Sequence, residues 1–438
     1  SEAVSSCVLF DSASLGPLSF VRGDPSLTNE PSGTAHVRPD MRASGLGTVP
    51  NTAFGIALGL GGNAILWRTA SEARFLDVGR SANWIVWVVG CVAWVFFAGC
   101  LLVKMWTNCD FALCEWLHPT RCYFSFAPHL ALTMLAIGSP QSLDEALRPL
   151  RTAVFLAGLL AQSLACVLVY ARWLFSPVDG DLGHASPPYL LSTVGWPLLC
   201  VLSQALHLER RWDLDVPSLC FGPGAAWYSL AFVTIVQTMH SRRRTHKGAP
   251  VLFLIIAPPS VMAVALDNFN ASGPSTAVFG FAFFTALVLA RLGPKLLARP
   301  STLGYYWAYV FPLAALASAG LRVAENNGKP ARVLARGLLA VATATLVAVF
   351  LRMSVHLLQV ARGRALWVDP LLNLSESHHR AIVDTFCKRP RPRDQTTRQD
   401  RTDDRRGSAP DDFYVVEYDD DDDDDQEDDI VKQQRRQL

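Results

Sequence analysis

Charge is what this sequence has least of. Asp, Glu, Lys and Arg make up 18% of its 438 residues and nearly cancel, to a formal net charge of +1. A surface built for nucleic acid or another polyanion needs a basic excess, so no nucleic-acid partner is expected. The ten cysteines, Cys91, Cys100, Cys109, Cys114, Cys122 and Cys166 among them, form no CxxC pair and no His/Cys set at zinc-ligand spacing. They read as packing residues within helices, and neither a metal nor a cofactor is expected. No paired-His, Cys/His or Ser/His/Asp constellation points to catalysis, so the chain is not read as an enzyme. A secretory signal is also missing, and the chain begins at Ser1 without a methionine, as a fragment or a processed product would.

Apolar residues fill the space that charge leaves. They make up 50% of the chain, and the mean hydropathy is +0.23 even with two polar tails included. This composition is that of an integral membrane protein embedded in lipid. Residues 1–50 form a Ser/Pro/Gly-rich tail with no sustained period, expected to be disordered. Apolar runs predict helices at 53–68, 83–106, 122–138, 150–174, 188–206, 224–240, 250–267, 275–292, 305–321 and 335–358, ten crossings within 51–360. From 361 to 438 the chain is charged, with "KRPRPR" at 388–393 and the aspartate run Asp419–Asp425, and reads as a mostly disordered cytosolic tail. Arg405-Arg406-Gly407-Ser408 suits a basophilic protein kinase, making Ser408 a candidate regulatory site.

Prolines fall on alternate spans. Pro128 lies in the third, Pro197 in the fifth, Pro258 and Pro259 in the seventh and Pro312 in the ninth, whereas even spans have Pro149 and Pro223 near their ends. The first span is interrupted instead by glycines, Gly59 among them. A proline strands a carbonyl one turn back, which a membrane tolerates only where protein or a water-filled path supplies a partner. The odd helices are therefore expected inside, around a central path. The even ones, such as "NWIVWVVGCVAWVFFAGCLLV", are apolar on every face as a lipid-facing wall requires.

Five stretches in order carry a family resemblance: "FGIALGLGGNAILWRT" at 54–69, "HPTRCYFSFAP" at 118–128, "IIAPPS" at 255–260, "LVLAR" at 287–291 and "YYWAYVFPLAALA" at 305–317. Together they resemble the plant slow-type anion channels of guard cells, relatives of bacterial tellurite-resistance and C4-dicarboxylate transporters. The resemblance implies an all-α fold of ten transmembrane helices, arranged as five quasi-symmetric hairpins with odd helices around a pore. It further implies a homotrimer in the plasma membrane whose subunits each pass small inorganic anions, chloride or nitrate, in the service of stomatal regulation.

The inner spans as drawn hold only Arg68 and Asp267, each at a span's edge, with Arg121 just before the third, and a buried charge would cost at least ~2.5 kcal/mol and hold an anion too firmly. Ser125, Ser192, Thr193, Ser260 and Thr302 are available to replace hydration. Arg121, Lys247, Lys295, Arg299 and Arg242–Arg244 are candidates to concentrate anions at the mouths; for Arg242–Arg244, anchoring at lipid phosphates is an equal reading. With both termini cytosolic, the sequon Asn270-Ala271-Ser272 falls outside. The family's pore-plugging phenylalanine corresponds to Thr302, six residues before Ala308. Two readings follow: the channel leaks at rest, or Tyr305 takes over the plug. Elsewhere, Gly195-Trp196 replaces a small-polar pair and Tyr123 an asparagine. A proton-coupled malate or dicarboxylate transporter remains the alternative, with Asp267 or His129 as its protonatable group.

Overall fold

The computed structural model describes residues 49–76, 80–117, 121–175, 187–208, 212, 214–241, 246–291 and 303–361. The two expected tails lie outside that range, apart from a few residues at their junctions. Among the described residues all regular structure is helical and there is no strand. The helices are α1 (Phe54–Glu72), α2 (Ser81–Thr107), α3 (Cys109–Leu117), α4 (Ala127–Ile137), α5 (Arg148–Phe175) and α6 (Leu190–Ala205). They continue with α7 (Val216–Ser241), α8 (Ala257–Asn268), α9 (Ser272–Arg291), α10 (Leu303–Glu325) and α11 (Lys329–Ala361). Among the described residues, seven helical stretches are long and apolar enough to cross a membrane. Of the rest, α4 and α6 have 11 and 16 residues, short of a crossing on their own. The short helix α3 was not expected from the apolar runs.

Burial divides the helices into two sets. In α10, 83% of the apolar stretch is buried, against 11% in α2. Most residues of α1, α4 and α6 are buried as well, and so is the stretch Val251–Asn268 that ends in α8. Each buried helix packs on the next, α1 on α4, α4 on α6, α6 on α8 and α8 on α10, and α10 returns to α1. The contacts show that they run in parallel. Gly59 meets Trp307 and Glu72 meets Arg322 on the α1–α10 seam, while Gln204 meets Ala265 and Asp267 meets Asn326 further round the ring. The exposed helices run the other way: Asn83 at the start of α2 reaches Ala64, and Lys104 at its end reaches Asn51. Each of them straddles a seam of the ring, α2 across α1 and α4, α5 across α4 and α6, α7 across α6 and α8, α9 across α8 and α10, and α11 across α10 and α1. Their outward faces present Val92, Leu160, Phe284 and Leu351, all more than half exposed.

Four ring helices begin in a tighter 3-10 turn, at Asn51–Ala53, Arg121–Phe126, Pro187–Tyr189 and His246–Ile256. Proline sits at each transition. Pro50 precedes the first turn and Pro187 and Pro188 lie in the third, while prolines occupy the first turn of α4 and of α8. The four turns touch in sequence, and the last and first both contact α10, so they close a collar at one end of the ring. Tyr123 packs edge-on to Tyr189 at 5.2 Å within that collar, and Phe253 of the fourth turn packs edge-on to Tyr309 of α10 at 4.8 Å.

Two expectations about proline are corrected here. Pro128, Pro258 and Pro259 do not interrupt α-helices but open them. A proline in the first α-helical turn gives up an N–H that would have no partner anyway, so the break falls before it. Pro223, expected near a span's end, is internal because α7 starts at Val216. Internal proline is thus found in α6, α7 and α10, and the alternation is looser than the apolar runs suggested. The turn between α8 and α9 is short for a clear reason: Asn270 takes φ 61°, which asparagine tolerates, and Ala271 N–H closes back on Leu266 O at 3.0 Å.

Candidate functional site

The inner surface of the ring is the candidate site, and its middle is free of charge. Between the collar and the opposite end, the described residues of the five ring helices include no Asp, Glu, Lys or Arg. Ser192, Thr193 and Ser260 are fully buried, and their hydroxyls donate to Tyr189, Leu190 and Ile256 carbonyls of their own turns at 2.6, 2.9 and 2.8 Å. Their protons are therefore committed to the backbone, as small hydroxyls in apolar helices commonly are, and they are not poised to replace an anion's hydration. Ser125, in the collar, is half-buried.

The other sequence-derived candidates separate by position. Pro197 and Pro312 are buried within α6 and α10, so neither faces lipid. A Cβ added to Gly224 would lie 2.7 Å from Pro197 Cδ, so the Pro197 ring is covered by α7. Gly59 lies in the α1–α10 contact, where an added Cβ would stand 2.6 Å from Trp307 Cε3. Pro258 is buried, and the Pro128 carbonyl is capped by the Trp94 indole of α2 at 2.8 Å. Ala308 is half-buried on an otherwise buried turn, and Pro312 cannot donate to its carbonyl. Arg121 is half-buried in the collar. Tyr305 lies in the first turn of α10, with its side chain outside the described set. Thr302, Lys295, Arg299, Arg242–Arg244 and Ser408 are all outside the described residues.

Three polar groupings escaped the sequence reading. The first lies between α4, α5 and α6, where Gln162 Nε2 donates to Ser192 O at 2.6 Å and Gln162 Oε1 faces His129 Nε2 at 2.9 Å. That amide orientation makes His129 Nε2 the donor, so His129 is held toward α5 as a satisfied interior side chain. Tyr170 extends the group to the Ser192 hydroxyl at 3.0 Å.

The second grouping ties the end opposite the collar. Arg68 donates to both Asp144 oxygens at 2.9 and 2.6 Å, to Ser139 O at 2.7 Å and to Glu72 at 3.0 Å. Asp144 also accepts from Arg151 at 2.8 Å, and Glu72 from Arg322 at 2.9 Å. Arg322 also places its charge near Asp267, itself held by Asn326 at 3.3 Å. The third is at the collar: Lys104, buried in α2, pairs with buried Glu115 of α3 at 2.6 Å. A lone charge in an apolar span has to find a partner, so the isolated lysine of 83–106 was the available signal. For Arg68 the signal was weaker, because its partners come from a loop 70 or so residues away.

The profile of the family described as voltage-dependent anion channel matches residues 48–354. The S-type anion channel SLAH2 of Arabidopsis thaliana is 28% identical over 309 residues, 68% of this chain and 57% of that one. The guard cell S-type anion channel SLAC1 of the same plant is 27% identical over 315 residues, covering 70% and 55%. For the S-type anion channel SLAH1 the figures are 24% over 364 residues, 80% and 90%. The match thus spans little more than half the length of SLAH2 and SLAC1. All three relatives are named as anion channels, not as enzymes.

Proposed function

Because the chain belongs to the voltage-dependent anion channel family, we propose that it is a passive channel for small anions, chloride and nitrate, whose path runs inside the ring of α1, α4, α6, α8 and α10. It is a multi-pass membrane protein, and in this reading all ten long predicted runs cross the bilayer as five hairpins. The observation that carries the proposal is the charge-free middle of the ring. A fixed cation there would bind an anion tightly and slow its exit, whereas a neutral wall permits weak binding and fast release.

Attraction then comes from the ends. Five parallel helices direct their N-termini to the collar, each worth about half a positive charge, and Arg121 stands beside them. Lys295 and Arg299 extend this field in the proposal, and Thr302, or Tyr305 in the first turn of α10, forms the constriction. Both tails are assigned to the cytosol, the membrane to the plasma membrane and the assembly to a homotrimer. Ser408 is the proposed phosphorylation switch, and Ser408→Ala should abolish kinase-dependent activation of the current.

Whole-cell recording with ion substitution tests the main reading. The reversal potential should follow the chloride or nitrate gradient and ignore a proton gradient. A proton-coupled dicarboxylate transporter is the second reading, with His129 of α4 or Asp267 near the end of α8 as its protonatable group. Uptake of malate driven by a proton gradient would replace the channel reading with that one.

A further inference from the structure

Lys104 is 1% exposed, and all three donors of its ammonium group have acceptors: Glu115 Oε2 at 2.6 Å, Asn51 Oδ1 at 2.8 Å and Val49 O at 3.0 Å. The second oxygen of Glu115 accepts from the Asn51 N–H at 3.3 Å. The pair therefore grips residues 49–51 through backbone and side chain together, where they lead into the first 3-10 turn of the collar. Glu115 belongs to α3, which packs on α2 and on the second collar turn, Arg121–Phe126. One ion pair thus joins an exposed helix, a short connecting helix and two neighbouring turns of the collar.

Stability alone gives a poor account of it. Taking both charges out of water costs about as much as their attraction returns, and an apolar pair of similar size would pack as well. What the charges add is direction, since three ammonium donors and two carboxylate oxygens fix where Asn51 sits, and apolar groups would not. A 3-10 turn at the head of an α-helix is also a place where the chain can change pitch with little loss of bonding.

We propose that Lys104 and Glu115 form a latch that positions the collar and so sets the fraction of time the path is open. For its electrical readout this rests on the channel reading. Both are positioning residues: Lys104 is on an exposed helix outside the ring, so neither charge touches the permeating anion. Loosening the latch changes how often the collar opens, not the path an ion meets once it is open.

The test uses the full chain in lipid bilayers, with two variants that leave no buried charge unpaired. Asn51→Ala removes one acceptor and keeps the ion pair; Lys104→Met with Glu115→Leu removes the pair and keeps its volume. Thr107→Ala, an exposed change on the same helix, is the control. Open probability should shift by about fivefold or more in the double variant and less in Asn51→Ala, with unitary conductance and chloride-to-nitrate permeability unchanged. In parallel, amide hydrogen exchange should quicken at 49–53 and also at 121–126. An altered unitary conductance would place the pair on the path and overturn the proposal, as would an unshifted open probability or faster exchange confined to 49–53. If the native chain carries no anion current, the channel reading fails by itself, and exchange still decides: quickening that spreads to 121–126 upholds the latch, and its absence rejects it.

Discussion

Asp144 shows how unequal two adjacent carboxylates can be. It accepts from Arg68 and Arg151 together, so Asp144→Asn leaves two guanidinium groups facing each other with no anion between them. That should cost about 2–3 kcal/mol of stability, seen as a lower unfolding temperature in detergent. Glu145, 88% exposed and paired with Arg148, should lose less than about 1 kcal/mol as glutamine. A second pair of variants tests the constriction. Thr302→Phe should suppress resting current if the missing ring causes a leak, and Tyr305→Ala should raise it if that tyrosine is the plug. Unchanged resting current in both would move the constriction away from this turn. Single charges were the least legible part of the sequence. Lys104 and Glu115 are 11 positions apart, but Arg68 and Asp144 meet only because α1 and the α4–α5 loop end at the same level, and no local pattern encodes that.

Helices were legible where apolar runs are long, because a bilayer or a core leaves the backbone no other way to satisfy its hydrogen bonds. Their internal breaks were less so. Proline marked where the backbone loses a donor but not on which side the chain would tighten, so Pro128 read as a kink although it opens α4 after a 3-10 turn. Glycine was ambiguous in the same way. Gly59 looked like a weak point in α1, but it is the place where the Trp307 ring of α10 lies against the α1 backbone. Trp307 is 1% exposed and has no room to retreat. Gly59→Ala should therefore force α1 and α10 apart and destabilise the protein by about 1–3 kcal/mol. Gly99 of α2 has nothing within 4 Å of an added Cβ, and Gly99→Ala should be neutral or stabilising by up to about 1 kcal/mol. Thermal unfolding of the two alanine variants side by side checks the contrast; equal effects would mean the α1–α10 seam is looser than these contacts indicate.

At the scale of the whole molecule, polarity is sorted by position along the ring. Ion pairs gather at the two ends, Lys104–Glu115 beside the collar and the Arg68–Asp144–Arg151 group opposite, and between them the described residues of the ring helices are uncharged. The sequence separates runs that are apolar all round from runs that carry proline, glycine and small residues, and the described helices divide into an exposed and a buried set. Closure of the ring was not readable, since it depends on α10 returning to α1 across some 250 residues. The central claim is that the ring encloses the anion path, and cysteine accessibility tests it most directly. With Ala308→Cys or Ser125→Cys in the full chain, a charged thiol reagent should cut the anion current, and a high concentration of permeant anion should slow the reaction. Val92→Cys and Leu160→Cys, on exposed faces of α2 and α5, should leave the current as it is in the unsubstituted chain. Block from the α2 and α5 positions, with none from Ala308 or Ser125, would place the path outside the ring and contradict the account.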